Sequence, residues 1–105
     1  MGNRKDKDEA LYHEELIWRT LSNKWKISVL LNLSRGTIRF NQLQRHLRGI
    51  SDKVLASTLK ELEQDGLVKK EFFEETVLRS EYSLTEKGQA LMPIIQRLVD
   101  WWQKY

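Results

Sequence analysis

The stretch from Gly49 to Val68, GISDKVLASTLKELEQDGLV, sorts its residues by side when each is turned about 100° from the last. Val54, Leu55, Thr58, Leu59 and Leu62 fall on one side, and Lys53, Ala56, Ser57, Lys60 and Gln64 fall opposite. The spacing predicts a helix over 52–65, with Ser51 as its N-cap, Asp52 at the positive end of the helix dipole and Gly66 as its stop. Just upstream, Thr37, Ile38 and Arg39 suit a very short strand. Phe40, Leu43 and Leu47 then form the apolar stripe of a shorter helix ended by Gly49. Two helices joined by the turn Arg48-Gly49-Ile50-Ser51 are the pattern of a helix-turn-helix.

The flanks complete the outline. Residues 1–8 read as a flexible charged arm and 9–105 as a single domain. A first helix, about Asp8 to Ser22, should turn Leu11, Leu16 and either Ile17 or Trp18 inward. After a junction at Asn23 and Lys24, a second helix from about Trp25 to Leu33 is apolar on most sides and so belongs at the centre of the core. Gly36 suits the left-handed position that ends it. Beyond Gly66 the period changes. Leu67–Phe73 and Arg79–Leu84 read as two strands of a hairpin. The loop around Glu74-Glu75-Thr76 lacks Gly, Asn and Pro, which predicts more than a two-residue turn. Thr85 caps a last helix from Glu86 to near Tyr105, with a kink expected at Pro93. Leu91, Ile95, Leu98 and Trp102 make one stripe on it, while Met92, Ile94, Val99 and Trp101 spread onto other sides. That is more apolar surface than one small core uses. The fold class is therefore α+β: a winged helix-turn-helix, mainly helical, with a small β-hairpin wing and a long C-terminal helix.

Composition narrows the function. The 105 residues are 40% hydrophobic and 31% charged, and no apolar run reaches the roughly 20 residues that span a bilayer. The amino end, MGNRKDKDEA, lacks the apolar stretch of a signal peptide, so a cytoplasmic protein without a membrane partner is expected. Cysteine is absent, which excludes disulfides and thiolate chemistry. His13 and His46 stand far apart without ligand-like spacing, and no metal or other cofactor is expected. Glu61, Glu63 and Asp65 are placed on or near a solvent face with no nucleophile or histidine beside them, and no glycine-rich phosphate loop exists, so an enzyme is not expected.

Charge is distributed unevenly. Residues 35–70 hold eight Lys/Arg against four Asp/Glu, whereas 71–105 hold four against six. Arg35, Arg39, Arg45 and Arg48 follow one another without an intervening acid, a footprint of phosphate binding. On the outer side of the 52–65 helix, Ala56 and Ser57 permit close approach to a major groove. Lys53 and Lys60 reach phosphates or guanine acceptors, and Ser57 can bond a base edge. Asn41, Gln44, Arg45 and Arg48 would hold register on the backbone. On the wing, Arg79 is the stronger candidate for a minor-groove or phosphate contact. Lys69 and Lys70 are weaker, because Glu71, Glu74 and Glu75 lie close by.

Four segments in order, LSNKW (21–25), RFNQLQRHLRGIS (39–51), LKELEQDGLV (59–68) and EYSLTEKG (81–88), resemble the HxlR family of bacterial winged-helix transcription regulators, relatives of the MarR group. The resemblance covers roughly residues 12–102. It implies a homodimer that sets one recognition helix from each subunit in successive major grooves, with the terminal helices forming the dimer interface. The DNA-binding set would then be Arg39, Asn41, Gln44, Arg45, Arg48, Ser51, Lys53, Ala56, Ser57, Lys60 and Arg79. The interface set would be Leu11, Trp18, Leu91, Ile95, Leu98, Trp101 and Trp102. Two departures stand out. Some members sense oxidants through a cysteine near the start of the first helix, where this chain has Tyr12. Members also often carry prolines before the wing arginine, where this chain has Val77 and Leu78.

The expected function is a sequence-specific, dimeric regulator of transcription on double-stranded DNA. With no second domain in view, repression by blocking polymerase is the simpler mode. The surplus of aromatics between the wing domain and the terminal helices leaves room for a small-molecule effector. The competing function is a winged-helix module that meets an acidic protein surface through the same face.

Overall fold

The computed structural model describes the backbone of residues 4–74 and 78–105, and side chains over 8–74 and 79–105. The order is α1 (Arg4–Leu21), α2 (Lys24–Leu33), β1 (Ile38–Arg39), α3 (Phe40–His46), α4 (Asp52–Gln64), β2 (Val68–Glu74), β3 (Leu78–Leu84) and α5 (Glu86–Lys104). The expected caps Ser51 and Thr85 form, and Asn23, expected only as part of a junction, caps α2 as well, whereas α3 starts after Arg39 without a side-chain cap. Asn23 accepts from the amides of Trp25 and Lys26, Ser51 from Val54 at 3.1 Å, and Thr85 from Gly88 at 3.1 Å. Gly36 and Gly66 take positive φ after α2 and α4. α1 begins at Arg4, so it takes in residues 4–8 of the stretch read as an arm; residues 1–3 lie outside the described residues. The same holds for residues 75–77, which include most of the loop expected between the strands.

The expected hairpin is part of a three-stranded antiparallel sheet in the order β1-β3-β2. Ile38 pairs with Tyr82, and Arg39 with Glu81, so the two-residue β1 ties α3 to the wing. Val68 opposite Leu84 starts the wing itself. The alternation read in β3 is realised: Tyr82 and Leu84 are buried. α5 follows closely, because the first carbon of any side chain at Gly88 would stand 2.2 Å from the Leu67 carbonyl oxygen. Only glycine lets the helix start so near the strand.

The core lies where α2, α3, α4 and the sheet meet. Val29, Leu30, Leu43, Leu55 and Leu62 are wholly buried there, with Leu33, Leu47, Leu59, Leu67, Val68 and Ile95 around them. Each fully buried leucine contributes about 1.5–3 kcal/mol of transfer free energy, so α4 is anchored by Leu55, Leu59 and Leu62 together. Val54, expected on the inner side, is 40% exposed. It sits in the first turn, at the edge of the stripe.

α1 differs most from expectation. Leu11, Ile17 and Trp18 are 60%, 55% and 62% exposed, and only Leu16 is half-buried. The reason is geometric. α1 rests on α2, Leu16 and Ile17 border an open groove that faces α5, and Leu11 and Trp18 stay exposed. The molecule is correspondingly elongated, 61 × 35 × 24 Å, with a radius of gyration of 16.0 Å where a compact chain of this length has about 13 Å.

Candidate nucleic-acid interface

The outer side of α4 is open along its whole length. Lys53, Ala56, Ser57, Lys60 and Gln64 are all exposed, while Thr58 on the inner side donates its hydroxyl to the Val54 carbonyl at 2.7 Å. Ser51 is exposed too, but its hydroxyl is committed to the helix N-terminus. In α3, Asn41 and Arg45 are exposed, as is Arg48 in the turn. Gln44 is half-buried and donates to the Ile50 carbonyl at 3.4 Å, so it braces the turn between the helices.

β1 and the wing bring further arginines to the same side. Arg39, Asn41, Gln42, Arg45, Phe72 and Arg79 line a groove of about 730 Å³ between α3 and the sheet. Glu81 stands between two of the cations, 3.7 Å from Arg39 Nε and 3.7 Å from Arg79 Nε. Arg79 also lies over the Phe73 ring, 4.6 Å from its centroid. The wing arginine is thus half-buried and oriented, not extended freely from a wing tip. Phe72, which no sequence signal marked, is 55% exposed in this groove. Lys69 and Lys70 are exposed on β2, one of the two edge strands, where lysines also discourage strand pairing.

The carboxylates need one correction. Asp65 was placed on or near a solvent face, but its side chain is only 11% exposed and pairs with Arg19 and Lys26. Lys26 itself is fully buried, 3.0 Å from Glu61 Oε2. Helical periodicity gives no sign of this, because Lys26 occupies a position on a helix that is apolar nearly all round.

The second surface lies at the other end. Trp101 and Trp102 are 51% and 73% exposed, with Leu98 and Ile94 open beside them and Leu91 half-buried. Ile95, expected among the interface residues, is 3% exposed and belongs to the core. It forms part of the floor of a groove of about 810 Å³ whose walls include Leu16 and Ile17 of α1 and Leu91 and Leu98 of α5.

A three-helix core with a small sheet, a capped helix presenting a small and basic outer side, and arginines clustered beside it define a winged helix-turn-helix protein. Residues 20–105 match the HxlR-like helix-turn-helix family, and the chain belongs to it. An uncharacterized HTH-type transcriptional regulator from Methanothermobacter thermautotrophicus is 38% identical over 104 residues, spanning 99% of this chain and 79% of that protein. The crystal structure of a MarR-family transcriptional regulator from Enterococcus faecalis V583 superposes with a TM-score of 0.81 at 36% identity, over 99% of this chain and 89% of that one. The reduced form of the transcriptional regulator YodB from Bacillus subtilis gives 0.79 at 31% identity, over 100% and 95%. No helix among the described residues is long and apolar enough to cross a membrane.

Proposed function

We propose that this protein is a sequence-specific transcription regulator that binds duplex DNA as a homodimer in the cytoplasm and represses by occupying its site. α4 enters the major groove. Lys53 and Lys60 meet phosphates or guanines, Ser57 meets a base edge, and Ala56 allows the approach. Arg39, Asn41, Arg45 and Arg48 hold the adjacent backbone, and Arg79 meets phosphate or the minor groove from the wing. Gln44 and Ser51 support this face by fixing the turn and the helix start. The observation that carries the reading is the fully exposed outer side of α4 beside the arginine-lined groove. The relatives' names support its coarser part, a helix-turn-helix regulator of transcription.

The uncovered apolar residues of α1 and α5 support dimerisation. Leu11, Trp18, Leu98, Trp101 and Trp102 are all exposed large apolar side chains, of the kind that marks an association surface when they cluster. Exposed tryptophans are strong interface anchors. The two α4 helices of such a dimer enter successive major grooves, which calls for half-sites about one DNA turn apart.

Selection of bound sequences from random duplex DNA tests the reading. A palindromic consensus is expected, with affinity falling linearly on a log–log plot against salt. No enrichment at low salt would overturn it and leave the same face to an acidic protein partner.

A further inference from the structure

Among the described residues, the largest side chain wholly removed from solvent is a cation, Lys26. Its ammonium lies 3.0 Å from Glu61 Oε2, 3.5 Å from Asp65 Oδ2 and 3.5 Å from the Arg19 carbonyl oxygen. Asp65 Oδ1 accepts from the Arg19 guanidinium, and the Asp65 carbonyl oxygen accepts from Lys87 Nζ at 2.8 Å. Asp65 Oδ2 is buried without a hydrogen bond among the described residues, so the Lys26 charge is what faces it. α1, α2 and α5 therefore converge on one place, the carboxyl end of α4.

That convergence has a cost and a use. A buried ammonium loses solvation that an apolar side chain at the same place would not need, so the network is poorly explained by stability alone. Leu55, Leu59 and Leu62 hold α4 through contacts without direction, and a small slide or rotation of the helix keeps most of them. Charges on Glu61 and Asp65, one turn apart, tolerate neither movement. Arg19 carries this constraint to α1, the helix whose Leu11 and Trp18 stand uncovered.

We propose that Asp65 and Lys26 are positioning residues that fix α4 along and about its axis, and that Arg19 couples this placement to α1. Seating α1 against a second copy and binding duplex with α4 are then linked, and the linkage is reciprocal. This rests on the dimeric DNA-binding reading above.

Arg19→Met removes the guanidinium from an exposed site and leaves Lys26 beside Asp65. Two measurements follow: affinity for the selected duplex, and amide hydrogen exchange over residues 61–66 at protein concentrations below and above dimerisation. In the natural sequence, exchange at 61–66 slows as the dimer forms. In Arg19→Met, which remains folded and dimeric, that dependence disappears and duplex affinity falls about tenfold. Arg19→Lys restores most of both. A variant with a lower Tm but unchanged affinity and unchanged concentration dependence overturns the proposal, because it shows a structural role only. If the natural sequence itself neither dimerises nor binds any duplex, the dimeric regulator reading falls and takes the coupling with it. The two failures are distinct, one visible in the natural protein and the other only in the variant.

Discussion

α4 and the terminal helices carry apolar stripes of the same kind, yet they end differently. Leu55, Leu59 and Leu62 of α4 are at most 1% exposed, whereas Trp18 of α1 and Trp102 of α5 are 62% and 73% exposed. The stripe in α4 finds its complement inside the chain, in α2 and the sheet. The stripes at the ends find only part of theirs: Ile95 joins the core and Leu91 packs against it, while Leu11, Trp18, Leu98 and Trp102 stay exposed. A hydrophobic stripe predicts that a surface will be covered, and is silent on whether the same chain covers it.

Changing each side in turn breaks that comparison. Leu59→Ala, on the covered side, should cost about 2–5 kcal/mol, enough to lower the unfolding midpoint in denaturant steeply. Ser57→Glu with Lys60→Glu, on the open side of the same helix, should leave that midpoint nearly unchanged. It should weaken duplex binding about 100-fold at low salt, as measured by fluorescence anisotropy, because two acids then face the phosphates. Unchanged affinity in the folded double variant would remove α4 from the site.

Trp102→Ala separates the two kinds of stripe most directly. With most of its surface already open, it should cost the single chain under about 1 kcal/mol, while the dimer loses about 2 kcal/mol or more, seen by sedimentation at falling concentration. Ser51→Ala should cost about 1 kcal/mol, since it leaves the Val54 amide without its cap.

The smallest effect is at Tyr82, buried beside Glu63. Burial first, and the Glu63 charge second, raise its pKa above the ordinary value of 10.0. The folded state therefore holds the phenolic proton longer than the unfolded chain does. The contribution to stability is complete below pH 10 and is lost as pH rises through the elevated folded pKa. Alkaline unfolding followed with Tyr82→Phe, which lacks the proton, should show a correspondingly shallower loss.

Much of the fold was legible because it is encoded locally. Ser51 and Thr85 cap helices through bonds that span three residues, and Gly66 ends α4 through its own φ. The period of two in 79–84 marked β3 for the same reason. On the candidate interface, the small and basic outer side of α4 was visible from spacing alone. Gln44, expected at the DNA backbone, also donates to the Ile50 carbonyl, a bond no local pattern carries. Phe72 was not singled out, because its exposure depends on where the sheet lies relative to α3.

The amino-acid sequence by itself settled the elements, their order and which side of each helix is apolar, because periodicity and capping act over a few residues. Tertiary structure alone decided that Ile95 goes to the core while Trp102 stays uncovered, that β1 joins the wing as a third strand, and that Lys26 is buried against acids 35 and 39 residues away. Those outcomes depend on contacts between distant segments, and no local pattern carries the charge balance of a site that four helices assemble.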